Sequence, residues 1–314
     1  VNMALYSRLC SNHTLTNSKR DVKNLSWLIQ TSGDMYVSLK TSPQHRGVCW
    51  MMRQDPLQLT VSSPTSTSPR FAQRYALVVL WFATQGDKYW GEKEHWVSSK
   101  HECQWYGVEC NAWGTVIGLD LGFNELNGIL PRELALLPNL QELDVHGNDL
   151  QGVIPPGPLH AWTQLRTLRL HMNGFFGNIP TEIGRMTNLR ELQVFGNYFQ
   201  GKIPKEITNL KNLVLLDLYA NALTGTIPSG LSQLRPLREL DVHDNFLVGR
   251  MPQALCDKKN LNVLISDCWG KVKEVRCDCC TICCEGLPNM RCVDMQTKEI
   301  VTVGAPKKKN TKRT

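Results

Sequence analysis

Apolar residues recur through the middle of this chain in the order LxxLxLxxNxLxGxIP, at a spacing of 24 or 25 residues. The units start at Val116, Leu140, Leu165, Leu189, Leu213, Leu237 and Leu261, and only the step from Leu140 to Leu165 is 25 residues. Six units are complete, and the seventh breaks down after Leu264. An amphipathic helix or coiled coil would need apolar spacing near 3.5 residues with few breakers, and a proline plus repeated glycines inside each unit rules that out. A period of this length predicts stacked coils. Positions such as Leu143, Val145 and Leu150 then point into the coil and meet the same positions next door, because no unit can bury a core alone.

The other positions of the motif have separate duties. The asparagines Asn124, Asn148, Asn173, Asn197, Asn221 and Asn245 turn the chain off the strand, and their buried amides are placed to satisfy backbone groups of their own and the adjacent coil. The glycine and the Ile-Pro that follow, as in Gly177 to Pro180, supply a permissive backbone position and then a fixed one without an N–H. Alternation along the strand sends its third, fifth and seventh positions to the opposite face from the core. The third column holds Gly118, Glu142, Thr167, Glu191, Leu215 and Glu239, and the fifth holds Asp120, Asp144, Arg169, Gln193, Asp217 and Asp241. The seventh holds Gly122, His146, His171, Phe195, Tyr219 and His243. An acidic column interrupted by Arg169 and Gln193, beside a column of histidines and aromatics, is the composition of a face that recognises a protein, peptide or glycan. Ordinary solvated side chains are the plainer reading of the same columns. His146 and His171 are neighbours, but two histidines make a weak metal site, and no metal or cofactor is expected.

These units resemble the plant-type extracellular leucine-rich repeat family over Val116 to Ser266. The resemblance implies a right-handed curved α/β solenoid with a parallel sheet on its concave side and 3₁₀ turns near the L-x-G-x-I-P segments. It extends upstream. Ser68 to Asp87 reads as a helix, with a Ser-Pro start and a glycine near its end, and the following stretch matches the family's amino-terminal cap at Trp90, Trp96, Cys103, Trp105, Gly107, Val108 and Cys110. That match implies a Cys103–Cys110 disulfide, with two free buried thiols as the alternative. Of the 12 cysteines, eight are crowded into Cys256, Cys268, Cys277, Cys279, Cys280, Cys283, Cys284 and Cys292. An even, clustered set without a nearby histidine favours cystines in a terminal cap over a zinc or iron–sulfur site. The places of Cys256 and Cys268 suit a bridge that ties off the final coil. The order of cap helix, HECxWYGVxC, coils and CxCCTxCC also resembles secreted or membrane-tethered leucine-rich repeat proteins of microalgae.

The domain reading is a poorly structured region and linker at 1–68, a cap at 69–115, repeats at 116–266, a Cys-rich cap at 267–292 and a basic tail at 293–314. The formal charge of +7 sits in the flanks. Residues 1–68 carry 7 basic and 3 acidic groups and residues 267–314 carry 10 and 6, whereas the repeats carry 13 and 14. A neutral repeat body gives no support to nucleic-acid binding. The terminal string PKKKNTKR from Pro306 resembles a nuclear-targeting signal but reads more simply as a solvated tail. Asn12 and Asn24 head glycosylation sequons. No apolar run is long enough to span a bilayer, so membrane attachment would need a segment outside this chain.

No nucleophile elbow, phosphate loop or zincin string occurs, so an enzyme is not expected. The expected function is a non-catalytic recognition module of receptor-like type, with a protein, peptide or glycan ligand, a co-receptor as a further kind of partner, and an extracellular or cell-surface location. The alternatives are a structural wall or surface-coat protein and an intracellular scaffold.

Overall fold

The computed structural model describes residue 10 and residues 19–61, 69–269, 275–285 and 291–301. Asn12, most of the linker and the PKKKNTKR string lie outside the described residues. The strands Val116–Asp120, Glu142–Asp144, Thr167–Arg169, Glu191–Gln193, Leu215–Asp217, Glu239–Asp241 and Val263–Trp269 pair in parallel in that order. They pair position for position, Glu191 opposite Leu215 opposite Glu239. The chain is thus a leucine-rich repeat solenoid with one long parallel sheet. A second sheet of six short strands runs from Asn127–Gly128 to Phe246–Leu247.

Between the sheets each coil closes through a tight turn. Pro131, Pro180, Pro204 and Pro228 each directly precede a 3₁₀ helix, their φ of −61° to −79° already suited to its start. The one 25-residue unit instead closes with the α-helix Pro156–Ala161, which takes up the extra residue. Leu143, Val145, Leu168, Leu170, Leu192 and Val194 are fully buried between the layers.

The asparagines tie the coils together. Asn197 donates from Nδ2 to the carbonyls of Leu170 in the preceding coil (3.1 Å) and Val194 in its own (3.0 Å), and its Oδ1 accepts from the Phe175 N–H at 3.0 Å. Asn148, Asn173, Asn221 and Asn245 repeat this set. At the amino-terminal end Asn124 turns the same atoms on Glu92, fastening the cap. At the other end Asp267 takes the acceptor role, receiving the N–H groups of Asp244 and Asn245.

The amino-terminal region departs from the sequence expectation. Residues 19–61 are structured: helices α1 (Lys19–Ser32), α2 (Asp34–Ser38) and α3 (Pro43–Cys49) and a π-turn at Trp50–Gln54 pack on the cap helix α4 (Pro69–Ala83). Leu25, Trp27, Leu28, Val48 and Met51 are buried with Phe71 and Tyr75 of α4, and Trp27 meets Phe71 edge-on at 5.3 Å. The join is also ionic. Fully buried Arg74 bonds Asp55 at 3.0 Å and Glu102 at 3.2 Å, and its guanidinium lies near the rings of Trp50 and Trp105. Cys10–Cys49 adds a disulfide that the sequence reading did not include. Asn24 is fully buried, its amide bonded to the carbonyl of Leu59 and the N–H of Val61, so a glycan there is incompatible with this packing.

Cys103 and Cys110 are bonded. Between them Gly107 has φ +72°, and a Cβ there would stand 2.1 Å from the Asp120 carbonyl oxygen, so the Trp-x-Gly-Val turn admits only glycine. In the carboxy-terminal cap the bridges are Cys256–Cys279, Cys268–Cys283, Cys277–Cys280 and Cys284–Cys292. Cys256 and Cys268 therefore do not pair with each other. Strand Ile282–Glu285 extends the long sheet beside Val263–Trp269 with Cys283 opposite Ser266, which brings Cys283 to Cys268. The sheet then continues through Cys292–Asp294 and Ile300–Val301, so the first part of the expected basic tail belongs to the fold.

Replacing Asn197 by alanine orphans buried groups in two coils and should lower stability by about 1–3 kcal/mol; an unchanged urea midpoint would contradict the bridging role. Arg74→Met leaves Asp55 buried without a cation and Glu102 with Arg70 at 3.9 Å as its remaining arginine, and should cost about 3–5 kcal/mol. Limited proteolysis reads it: cleavage within 19–61 should speed up, and an unchanged rate would show that the buried ion pairs do not hold that region to the cap.

Candidate recognition face

The outer face of the long sheet carries the three columns. Because the coils pair position for position, like positions on adjacent strands are held about 4.8 Å apart. Planar side chains at that spacing stack. His146 lies on His171 at 4.4 Å, His171 on Phe195 at 4.3 Å, Phe195 on Tyr219 at 4.4 Å and Tyr219 on His243 at 4.7 Å. Phe123 closes one end edge-on at 4.6 Å. This corrects the expected role of the seventh column as an exposed strip. His171, Phe195, Tyr219 and His243 are 6%, 7%, 8% and 2% exposed, so the rings spend their faces on each other. The stack is a spine, and a ligand meets little more than ring edges.

What remains accessible lies mainly in the third and fifth columns, and its charge is unevenly balanced. Arg169 sits at the centre of the amino-terminal half. Its guanidinium bonds Glu142 and Glu191 at 2.8 Å each, reaches Asp144 at 3.4 Å, and donates from Nε to Gln193 Oε1 at 3.1 Å. Asp144 is buried and also accepts from His146 at 2.5 Å. Burial works against its charge, but the His146 contact and Arg169 outweigh that and hold its carboxyl below the ordinary value.

The carboxy-terminal half has no such hub. Among the described residues no lysine or arginine pairs with Asp217, Glu239 or Asp241, and Asp241 has only His243, at 2.5 Å. Asp217 is half-buried, and its buried Oδ1 has no hydrogen-bond partner. Burial, then repulsion from Asp241, pushes its carboxyl up to about 8. His171, with Nδ1 also unpartnered, is pushed down to about 4 by burial and by His146. Burial opposes charge on His243 too, but the bond to Asp241 reverses the balance and raises its value.

Among the described residues, two groups of side chains come within metal-binding reach, His243 with Cys284 and Cys292, and Cys268 with Cys277 and Cys280. Each cysteine in them is held in a disulfide, and a disulfide offers no thiolate ligand.

The Leucine Rich Repeat family model matches residues 139–160, 188–210 and 212–234. By fold the chain is a leucine-rich repeat solenoid. It is 37% identical over 91 residues to Receptor-like protein 50 of Arabidopsis thaliana, and 34% identical over 93 residues to Phytosulfokine receptor 1 of the same plant. Each match covers 28% of this chain, but only 10% and 9% of those proteins' lengths. Among solved structures, the ectodomain of the Arabidopsis receptor kinase HAESA, in complex with a peptide hormone, superposes with TM-score 0.50 at 32% identity, covering 52% of this chain and 28% of that one. A plant ice-binding protein superposes with TM-score 0.57 at 28% identity, covering 66% and 64%. The solenoid is therefore related to plant receptor ectodomains, and the matched region contains no kinase domain. Among the described residues no helix is long and apolar enough to cross a membrane.

The titrating groups make stability depend on pH in a defined direction. The fold keeps Asp217 protonated up to about pH 8, whereas the unfolded chain releases that proton near 3.8, so stability falls as pH rises across that window. His171 acts oppositely between about 4 and 6.5, where the unfolded chain holds the extra proton and stability rises with pH. Above about pH 6.5 the His171 contribution is spent, and raised His243 works in the same direction as Asp217. Tm should therefore drop between about pH 6.5 and 8.5, and Asp217→Asn should flatten the drop. A wild-type Tm that rises over this range would refute the assignment.

Proposed function

We propose that the chain is an extracellular, non-catalytic recognition module that binds an extended peptide across the outer face of the long sheet, with a cationic side chain of the ligand seated over Asp217, Glu239 and Asp241. The observation that carries this reading is the charge imbalance along the face. The amino-terminal half spends its one arginine on three carboxylates, while in the carboxy-terminal half His243 serves Asp241 alone and no lysine or arginine pairs with Asp217 or Glu239 among the described residues. A ligand guanidinium or ammonium would favour release of the Asp217 proton by offsetting the nearby Asp241 charge, and would supply the bond that Asp217 Oδ1 lacks. The related HAESA ectodomain is described with a peptide hormone, which supports the ligand class.

Cysteine chemistry supports this location. All 12 cysteines are paired, and six disulfides belong to an oxidising compartment rather than the reducing interior of a cell. The Cys-rich cap that extends the sheet is compatible with the resemblance to secreted or tethered microalgal proteins.

Selection from a random peptide library displayed on phage tests the reading. Peptides enriched on the wild-type protein should carry lysine or arginine. Their affinity should fall at least about tenfold, as expected for loss of a charge-assisted pair, in the Asp217→Asn, Glu239→Lys double variant. Enriched peptides that bind the double variant unchanged would remove this half of the face from the function.

A further inference from the structure

The second sheet carries an exposed site that the long sheet does not explain. Its outward positions are occupied by unlike residues, and at one point a side chain is missing. Gly174 lies opposite Gln151 on the neighbouring strand, and next along the same strand face Phe176 lies opposite Tyr198. The two rings are 51% and 70% exposed, well beyond what packing on the core requires. Beside them a notch of about 630 Å³ is lined by Gly174, Asp149 and Gln151 together with both rings. Large exposed aromatics next to hydrogen-bonding groups in a concavity mark a binding surface rather than a solvated one.

We infer that this notch binds a neutral polysaccharide, one sugar ring stacking on the Phe176–Tyr198 shelf while its hydroxyls bond Asp149 and Gln151. Three features select this occupant. A sugar ring is amphipathic: its C–H faces suit an aromatic ring, and its hydroxyls both donate and accept, as the Gln151 amide does. Along the Tyr198 strand the shelf continues into exposed Gln200, two residues on, whose neutral amide would meet a further sugar unit. Charge decides against the competing occupant, a basic peptide held between Asp149 and Tyr198. No cation lines the notch, but Lys202 is exposed on the same face of the Tyr198 strand, two residues beyond Gln200.

Native electrophoresis of the whole chain through gels containing laminarin or hydroxyethylcellulose, two soluble neutral glucans, tests the site. Migration should be retarded relative to a gel without glucan, and both Tyr198→Ala, which removes the shelf, and Gly174→Gln, which fills the notch, should weaken the apparent affinity at least tenfold. Tyr198 is exposed, so its loss should leave Tm unchanged, and peptide capture on the long sheet should persist in the variant. That second readout separates failure of this site from failure of the peptide reading. No retardation by either glucan would overturn the proposal, as would equal retardation of wild type and Tyr198→Ala. Tyr198-dependent binding of an oligolysine peptide without retardation by glucan would overturn it in favour of a basic ligand.

Discussion

The structure depends on one recurrent interaction, the buried asparagine amide that joins each coil to the one before it. Where the chain leaves the strand its carbonyls and N–H groups point into a dry interior, and an unpaired group there costs about 1–3 kcal/mol. An amide can donate and accept at once, so one side chain serves both its own coil and its neighbour, as Asn197 does for Val194, Leu170 and Phe175. A carboxylate can only accept. That is why Asp267 suits the last rung: it takes the N–H groups of Asp244 and Asn245 as the chain passes from regular coils to the Cys-rich cap.

Anchoring each coil to the last at the same point fixes register, and register makes columns. Columns of like residues then interact along the solenoid rather than outward. The five-ring stack from His146 to His243 and the Arg169 cluster both follow, because strand spacing is close to ring-stacking distance and to the reach of a guanidinium spanning three strands. The columns therefore stabilise the body in the amino-terminal half and along the spine. They leave chemistry unfinished where two carboxyls, Asp217 and Asp241, become neighbours and Asp217 holds its proton.

The solenoid, its unit boundaries and its asparagines were legible because they repeat, and repetition is visible without knowing any contact. Four things were not. The helices of 19–61 occur once, and their burial rests on pairings such as Trp27 with Phe71 and Arg74 with Asp55 that join residues far apart in sequence. The bridges of the terminal cap depend on which strand adds to the sheet, and eight cysteines at short spacing are compatible with many pairings. The seventh column was placed on the correct face but with the wrong exposure. Alternation tells which way a ring points and is silent on whether the next ring covers it. Asp267 escaped notice because it lies 22 residues after Asn245 rather than 24, so the period that found the other rungs passes over it.

The two sheets differ in a way that assigns them different work. In the long sheet position pairs with the same position, Leu215 with Glu239 and Asp217 with Asp241, so a residue type repeated in the motif meets itself and forms a continuous stack or a charged cluster. In the second sheet Phe176 pairs with Tyr198 and Thr224 with Phe246, a step of 22 residues against a period of 24, so different motif positions are set side by side. Across the 25-residue unit the step is 23, the same two-position slip, and it sets Gly174 against Gln151. Unlike neighbours cannot build a ladder. They leave rings exposed beside gaps, and the same slip in register that prevents stacking there creates the notch.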